Sequence, residues 1–195
     1  MTKRLFDIIF SLLGILFLLP VFIIVSILIK IDSTGPIFFL QERVGLNGKL
    51  FKIIKFRSME EDHNNSLTVT LKNDKRITRI GKNLRKYKID EIPELINVLF
   101  GDMSFVGPRP DVPGYADLLK GNDRNILKLR PGITSLASIK YSNEEQLLLE
   151  HKDPIAYNNE VIFPDKVKMN LNYYENNNIW IDIKIIFATL FTLFE

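Results

Sequence analysis

Residues 8 to 29 run for 22 positions without a charge, and Pro20 stands near the middle of that run. The length satisfies the roughly 20 apolar residues that a membrane-spanning helix needs. The proline works against a plain span. It cannot donate to the carbonyl of Leu16, and its ring presses on the preceding turn, so a kink is expected there. The arms on either side, Ile8 to Leu19 and Val21 to Ile29, come to about 18 and 14 Å at 1.5 Å per residue, each short of a hydrocarbon core of about 30 Å. Lys3 and Arg4 precede the run and Lys30 follows it. Basic residues at both ends give no direction across the bilayer, as when both ends lie on the cytoplasmic side. The expectation is a proline-broken re-entrant membrane helix over residues 1–32, weighed against a plain transmembrane anchor. A secretory signal peptide fits poorly, because the run is too long and no small-residue cleavage site follows it.

The rest of the chain, residues 33–195, has the length of one compact domain. The absence of cysteine excludes disulfides, zinc thiolates and thiol nucleophiles, and fits a cytoplasmic location. Charge is unevenly spread. Residues 43 to 88 hold 13 of the 26 Lys and Arg against four acids, although the whole chain carries only +3. Such a segment suits an anionic partner: phosphate esters, lipid headgroups or nucleic acid. Nucleic acid is the poorest fit, since no reader module is recognisable and a membrane segment precedes the basic stretch.

Two apolar and aromatic runs, "IFFLQERV" and "LFKIIKF", are joined by "LNGK" and read as a small β-hairpin. Residues 60–75 are polar and read as a loop. A helical pattern from Arg76 places Ile80, Leu84 and Tyr87 on one face. In "IDEIPELINVLFGDM", Pro93 suits the first turn of a helix over Glu94 to Phe100, which Gly101 ends. Residues 107–114 read as a rigid loop, 115–130 as helical, 130–134 as a turn, and Glu144 to Lys152 as a helix. From Trp180 onward, apolar residues at helical spacing give an interfacial amphipathic helix too short to span a membrane. The fold class expected is therefore membrane-associated α/β, with a compact cytoplasmic domain built on a small hairpin.

Asp90 and Glu91 sit just ahead of a helix N-terminus. Carboxylates there have a purely structural use, because they meet free amides and the positive end of the helix dipole. The neighbours argue for more. Arg85, Lys86 and Lys88 precede the pair, Arg109 is set between Pro108 and Pro110, and Arg130 precedes Pro131. Nearby cations favour an ionised Asp90, and an ionised carboxylate can attack phosphorus to give an acyl phosphate. That chemistry needs positive charge on the non-bridging oxygens, which Lys55, Arg57, Arg85, Arg109 and Arg130 could supply, with Glu91 as an oxygen ligand for Mg²⁺. His63 and His151 are isolated, and neither a Walker loop nor a dinucleotide fingerprint occurs.

With these residues in hand, the chain resembles the monotopic phosphoglycosyl transferases, the bacterial sugar transferase family. The stretches that carry the resemblance are "KRLFDIIFSLLGILFLLP", "GPIFFLQERVGLNGKLFKIIKFRSM", "IDEIPELINVLFGDMSFVGPRP", "LRPGIT" and "WIDIKIIFATL", in the family's order. The length is that of the family's small catalytic-core form. The resemblance implies transfer of a sugar 1-phosphate from a UDP-sugar to polyprenyl (undecaprenyl) phosphate, with release of UMP, at the cytoplasmic face of the bacterial inner membrane. It implies Asp90 as nucleophile, Glu91 as Mg²⁺ ligand, and Arg85, Arg109 and Arg130 as phosphate-holding residues, with Lys55 and Arg57 near the same site. It also implies a membrane helix broken at Pro20. The partners are then a UDP-sugar, polyprenyl phosphate and membrane lipid; a homo-oligomer is compatible with the sequence. Three positions depart from the family pattern: Leu19 stands where Ser is frequent, Ser135 to Ser138 replace a Gly-Trp-Ala-Gln run, and Asn170 or Asn172 stands for an Asp. The rival expectations are a membrane-bound phosphatase or pyrophosphatase, and a non-catalytic membrane scaffold.

Overall fold

The computed structural model describes residues 2–60 and 76–192. The polar stretch read as a loop, apart from Glu60, lies outside the described residues. Helix α1 (Thr2–Asp32) is one run of 31 residues with Pro20 inside it. The two separate arms expected from the proline are therefore not seen, and the helix continues through the position. Pro20 lies on the exposed side of α1.

Which side is covered follows a narrow stripe. Asp7, Ser11, Val25 and Ile29 are buried, and Gly14, Leu18 and Val21 are partly covered between them. These positions recur every three or four residues, so one seam of α1 faces the rest of the protein along its whole length. At Gly14 a Cβ would stand 3.3 Å from the Leu95 side chain. The other sides remain bare: Phe17 is 84% exposed and Ile31 77%.

Both ends of α1 are fastened by polar groups. Arg4 donates to the carbonyls of Val98 (2.6 Å) and Leu99 (2.7 Å), satisfying orphan acceptors at a helix C-terminus with a cation where one is favourable. Asp7 accepts from Ser104 Oγ and from the Phe105 N–H. Lys3 pairs with Asp182 and donates to the Tyr173 hydroxyl. At the far end, Asp32 accepts from the Ile80 N–H at 2.9 Å, one of the free amides of the next helix. Lys3, Arg4, Asp7 and Asp32 thus fasten both ends to one body.

Strands β1 (Phe38–Val44) and β2 (Leu50–Phe56) form the expected antiparallel hairpin, closed by a 3₁₀ turn at Leu46–Gly48. Asn47 (φ 57°) and Gly48 (φ 77°) take left-handed conformations there, which is why Asn-Gly suits the turn. Helix α2 (Arg79–Lys86) is N-capped by Thr78, whose hydroxyl accepts from the Gly81 N–H. Leu84 is buried with Val25, Ile29 and Phe56. Tyr87, expected on the same face, is instead 62% exposed, because α2 has already ended at Lys86.

Helix α3 (Glu94–Phe100) runs as expected from Pro93 to a left-handed Gly101 (φ 94°). Its Asn97 is 1% exposed. The side chain accepts from the Ile54 N–H (2.9 Å) and donates to the Lys52 carbonyl (2.8 Å), pairing the edge of β2 that β1 leaves open. Strand β3 (Ser104–Val106) then pairs in parallel with β4 (Gly132–Thr134). The stretch 130–134, read as a turn, is thus partly a strand. Its glycines explain the pairing: a Cβ on Gly132 would meet the Gly107 backbone at 2.1 Å, and one on Gly107 would meet the Arg130 carbonyl at 2.2 Å. Two Pro-Arg turns are brought together by backbones that only glycine lets approach so closely.

Between β3 and β4, residues 115–130 form two short 3₁₀ segments, Ala116–Leu118 and Asp123–Lys128, rather than one helix. Gly121, at φ 58°, separates them. Short helices α4 (Leu136–Lys140) and α5 (Glu144–Leu149) follow, then α6 (Pro154–Tyr157), a π-helical turn at Asn158–Ile162, α7 (Phe163–Asn176) and α8 (Ile179–Thr192). The run from 154 to 176 is helical beyond what the sequence pattern predicts. Its start signal, Asp153 capping Ala156 ahead of Pro154, is present, but the π turn shifts the apolar phase. The architecture is a mixed α/β protein with one long apolar helix and a compact domain carrying a small hairpin.

Replacing Asn97 by Leu keeps the volume but leaves the Ile54 amide and Lys52 carbonyl without their side-chain partners beneath α3. The expected cost is about 2–5 kcal/mol, read as a lower unfolding midpoint in detergent. An unchanged midpoint would show that the clamp contributes nothing.

Candidate active site

The turn after α2 aims the carboxylates. Lys88 adopts a left-handed conformation (φ 53°, ψ 25°), which costs a non-glycine residue on the order of 1 kcal/mol or more. That reversal feeds a single 3₁₀ turn, Ile89–Glu91, leading into Pro93 and α3. Asp90 and Glu91 thereby line a cavity of about 1570 Å³, whose walls also include β2 at Lys55, α2 at Arg85 and the loop after β3 at Arg109.

One carboxylate oxygen organises the charges. Glu91 Oε1 accepts from Lys55 Nζ and from Arg109 Nη2, both at 2.7 Å. Lys55 also stands 3.2 Å from Oε1 of Glu94, whose side chain is only 3% exposed. That Glu94 oxygen has no hydrogen bond and is buried. Burial pushes the Glu91 carboxyl up, but Arg109 and Lys55 outweigh it and hold Glu91 well below the usual carboxylate range. Glu94 goes the other way: burial, reinforced by the Glu91 charge and only partly offset by Lys55, raises it to about 7. Arg109 is in turn pushed up by Glu91.

Asp90 is buried and differs from expectation. Burial and the adjacent Glu91 charge raise its carboxyl, against the pull of Lys55 and Arg85. The neighbouring cations therefore do not dominate, because a desolvated carboxylate beside another carboxylate resists ionisation. A base raised in this way is a stronger nucleophile once it is ionised.

Five of the seven residues singled out in the sequence meet here: Lys55, Arg85, Asp90, Glu91 and Arg109. Arg85 lies 3.7 Å from the Met59 sulfur. Arg57 reaches the cavity wall, but its terminal nitrogens donate to the carbonyls of Ser33 and Thr34 and to the Ser33 hydroxyl. Its guanidinium ties the end of α1 to β2. Arg130 does not line the cavity; its Nε donates to the Gly101 carbonyl at 2.8 Å, beside the end of α3.

Glu94, Arg43 and Asp111 were missed. Glu94 carried a signal, since it is an acid in the first turn of α3, three residues after Glu91. Arg43 and Asp111 did not. They reach the cavity only because the Val44 N–H bonds the Asp111 carbonyl and Arg43 the Pro110 carbonyl, joining the hairpin to the loop after β3.

No group of three or more His, Cys, Asp or Glu placed to hold a metal occurs among the described residues. Mg²⁺ commonly takes one or two protein carboxylates and completes its shell with water and substrate phosphates. Glu91 fits that pattern, since it uses only one of its oxygens on Lys55 and Arg109; Glu94 Oε1, 3.2 Å from the Lys55 ammonium, is already taken by a cation.

Fold and site together define a mixed α/β protein whose cavity sets paired carboxylates among lysine and arginine, an arrangement suited to phosphate chemistry. The chain belongs to the bacterial sugar transferase family, whose model matches residues 1–195. It is 37% identical over 193 residues to the UDP-glucose:undecaprenyl-phosphate glucose-1-phosphate transferase of Klebsiella pneumoniae, covering 97% of this chain and 39% of that protein. It is 41% identical over 198 residues to the exopolysaccharide production protein PSS of Rhizobium leguminosarum bv. phaseoli, covering 96% and 92%. It is 33% identical over 203 residues to the UDP-N-acetylgalactosamine-undecaprenyl-phosphate N-acetylgalactosaminephosphotransferase of Aeromonas hydrophila, covering 98% and 43%. The chain thus spans less than half the length of the first and third of these relatives.

The raised carboxyl of Glu94 has a measurable effect. Between its ordinary value of 4.5 and about 7 the folded protein holds a proton that the unfolded chain releases. Stability therefore falls as pH rises through that window. Glu94→Gln should flatten the fall in midpoint between pH 4.5 and 7 relative to the unaltered protein. Identical slopes would mean that Glu94 ionises as in water.

Proposed function

We propose that this protein transfers a sugar 1-phosphate from a UDP-sugar to polyprenyl phosphate, giving a polyprenyl diphosphate sugar and UMP. The observation that carries this is the Asp90–Glu91 pair held in one cavity with Lys55, Arg85 and Arg109. Relatives named for UDP-sugar and undecaprenyl-phosphate chemistry support the same reading.

In the first step an Asp90 oxygen attacks the β-phosphorus of the UDP-sugar, the bond to the α–β bridging oxygen breaks, and UMP leaves. In the second, a phosphate oxygen of the polyprenyl phosphate attacks the same phosphorus and expels the Asp90 carboxylate. Lys55, Arg85 and Arg109 face the charge that accumulates on the non-bridging oxygens. The proline bracket of Arg109 and the Gly107–Gly132 backbone contact hold that guanidinium in place before substrate arrives. Glu91 would hold Mg²⁺, which would supply further positive charge to the diphosphate.

The lipid substrate calls for a membrane-bound enzyme, and α1 suits that role. A helix of 31 residues is about 46 Å long. It is apolar and bare on every side but one, and long enough to cross a bilayer. Fastening both ends to a single body favours a helix that enters and leaves on one face, the cytoplasmic face of the bacterial inner membrane, over one that crosses. Trp180 and Phe191 on α8, 72% and 71% exposed, add apolar surface suited to the interface.

Asp90→Asn should abolish UMP release from UDP-sugars in the presence of undecaprenyl phosphate; robust turnover by that variant would remove Asp90 as nucleophile. Glu91→Gln should lower turnover severely and weaken its dependence on Mg²⁺, whereas an unaltered Mg²⁺ titration would argue against its ligand role. Thr2→Cys and Thr34→Cys, introduced singly into this cysteine-free chain, should both be protected from an impermeant thiol reagent added outside intact cells. Labelling of either one would mean that α1 spans the membrane.

A further inference from the structure

We infer that Asp111, Asn170 and the Lys166–Glu144 pair form the wall that recognises the sugar of the nucleotide-sugar substrate, a reading that rests on the proposed transferase activity. All four line the cavity that holds Asp90 and Glu91. They come from three separate elements: Asp111 from the loop after β3, Glu144 from α5, and Lys166 and Asn170 from successive turns of α7. At about 1570 Å³ the cavity exceeds the roughly 300–1,000 Å³ of ordinary small-molecule sites. There is room beyond the two phosphates.

The decisive group is Asn170. It is 8% exposed, it lines the cavity, and among the described residues its amide makes no hydrogen bond. The residue is largely buried but its amide stays open to the cavity, so it is a donor and acceptor available to a ligand or water. Asp111, half-buried, likewise has no side-chain hydrogen bond to its carboxylate among the described residues. Burial raises that carboxyl to about 6, with Lys166 the cation that most opposes the shift. Lys166 donates to both oxygens of Glu144, at 2.7 and 2.6 Å, so its ammonium is fixed rather than roaming.

Charge decides which part of the substrate belongs here. A diphosphate is drawn to Lys55, Arg85 and Arg109, whereas on this wall Lys166 is taken by Glu144 and Arg43 is offset by Asp111, which leaves little free positive charge for a phosphate. A neutral hexose has the opposite preference, since its hydroxyls donate to carboxylates and exchange hydrogen bonds with an amide. Arg109 and Asp111 flank Pro110, so one short rigid loop carries the phosphate-facing cation and the hydroxyl-facing acid.

The test separates the sugar from the nucleoside. UMP release from UDP-glucose and from UDP-N-acetylgalactosamine would be compared for the unaltered protein, Asn170→Ala and Asp111→Asn, with inhibition by UMP measured alongside. Each substitution should lower kcat/KM for the preferred sugar by about 10-fold or more and change the ratio between the two sugars. UMP inhibition, the KM for undecaprenyl phosphate and the unfolding midpoint should stay unchanged. An equal loss for both sugars with weakened UMP inhibition would place the nucleoside on this wall and overturn the inference, and so would a loss explained by a lowered midpoint. If the unaltered protein releases no UMP, the transferase reading fails. The wall then stands or falls on direct binding, where UDP-glucose or UDP-N-acetylgalactosamine must bind more tightly than UMP and lose that advantage in Asn170→Ala.

Discussion

The two hydrogen bonds of Asn97 to the open edge of β2 hold the site together. Lys55 lies on β2, Glu94 lies on α3 one turn before Asn97, and Glu91 lies just ahead of the same helix. A β-hairpin of two strands is marginal by itself, and this one leaves an edge that would otherwise bond water or another chain. Asn97 closes that edge at Lys52 and Ile54. The strand is thereby set against the helix so that the Lys55 ammonium meets Glu94 on α3 and Glu91 in the turn just ahead of it. Carbonyl contacts at the end of α3 extend the frame: Arg4 reaches it from α1 and Arg130 from the turn before β4.

Within this frame the charges are not interchangeable. Lys55 and Arg109 share one oxygen of Glu91, which keeps Glu91 ionised despite its burial. The same Glu91 charge adds to burial in raising Asp90 and Glu94. Neighbouring carboxylates at and behind the cavity wall are thus driven apart in basicity, with one kept as an anion and the others made reluctant to ionise. Such divergence is what lets similar groups take different parts in a reaction.

Helix α1 shows how polar residues can define a face on an otherwise uniformly apolar helix. Its buried seam joins Asp7 and Ser11 near one end to Val25 and Ile29 near the other, while Leu, Ile and Phe elsewhere on the helix stay exposed. The charges flanking the run are not merely interfacial. Arg4 caps α3, Asp32 caps α2, and Lys3 joins α8.

By itself the sequence determined several local elements and which charged groups are gathered at the candidate site. The hairpin and its Asn-Gly turn, the helix from Pro93 to Gly101, the apolar first helix and the Asp90–Glu91 pair with Lys55, Arg85 and Arg109 could all be read from spacing, turn residues and motif. These features depend on interactions within a few residues, or on motifs long enough to be specific. What depended on distant contacts was decided by the tertiary structure. Arg57 and Arg130, which resemble the other cations in sequence, are taken up by backbone carbonyls; β4 is a strand only because Gly107 and Gly132 let two turns touch. Asp90 is raised rather than lowered, because burial cannot be read from the identity of its neighbours. Of the two candidates for the position where the family pattern has Asp, Asn170 faces the cavity, while Asn172 accepts a hydrogen bond from Asn176 at the exposed end of α7. Sequence order names which groups are present, but the desolvation and partner of each are set by the packing of elements far apart in the chain.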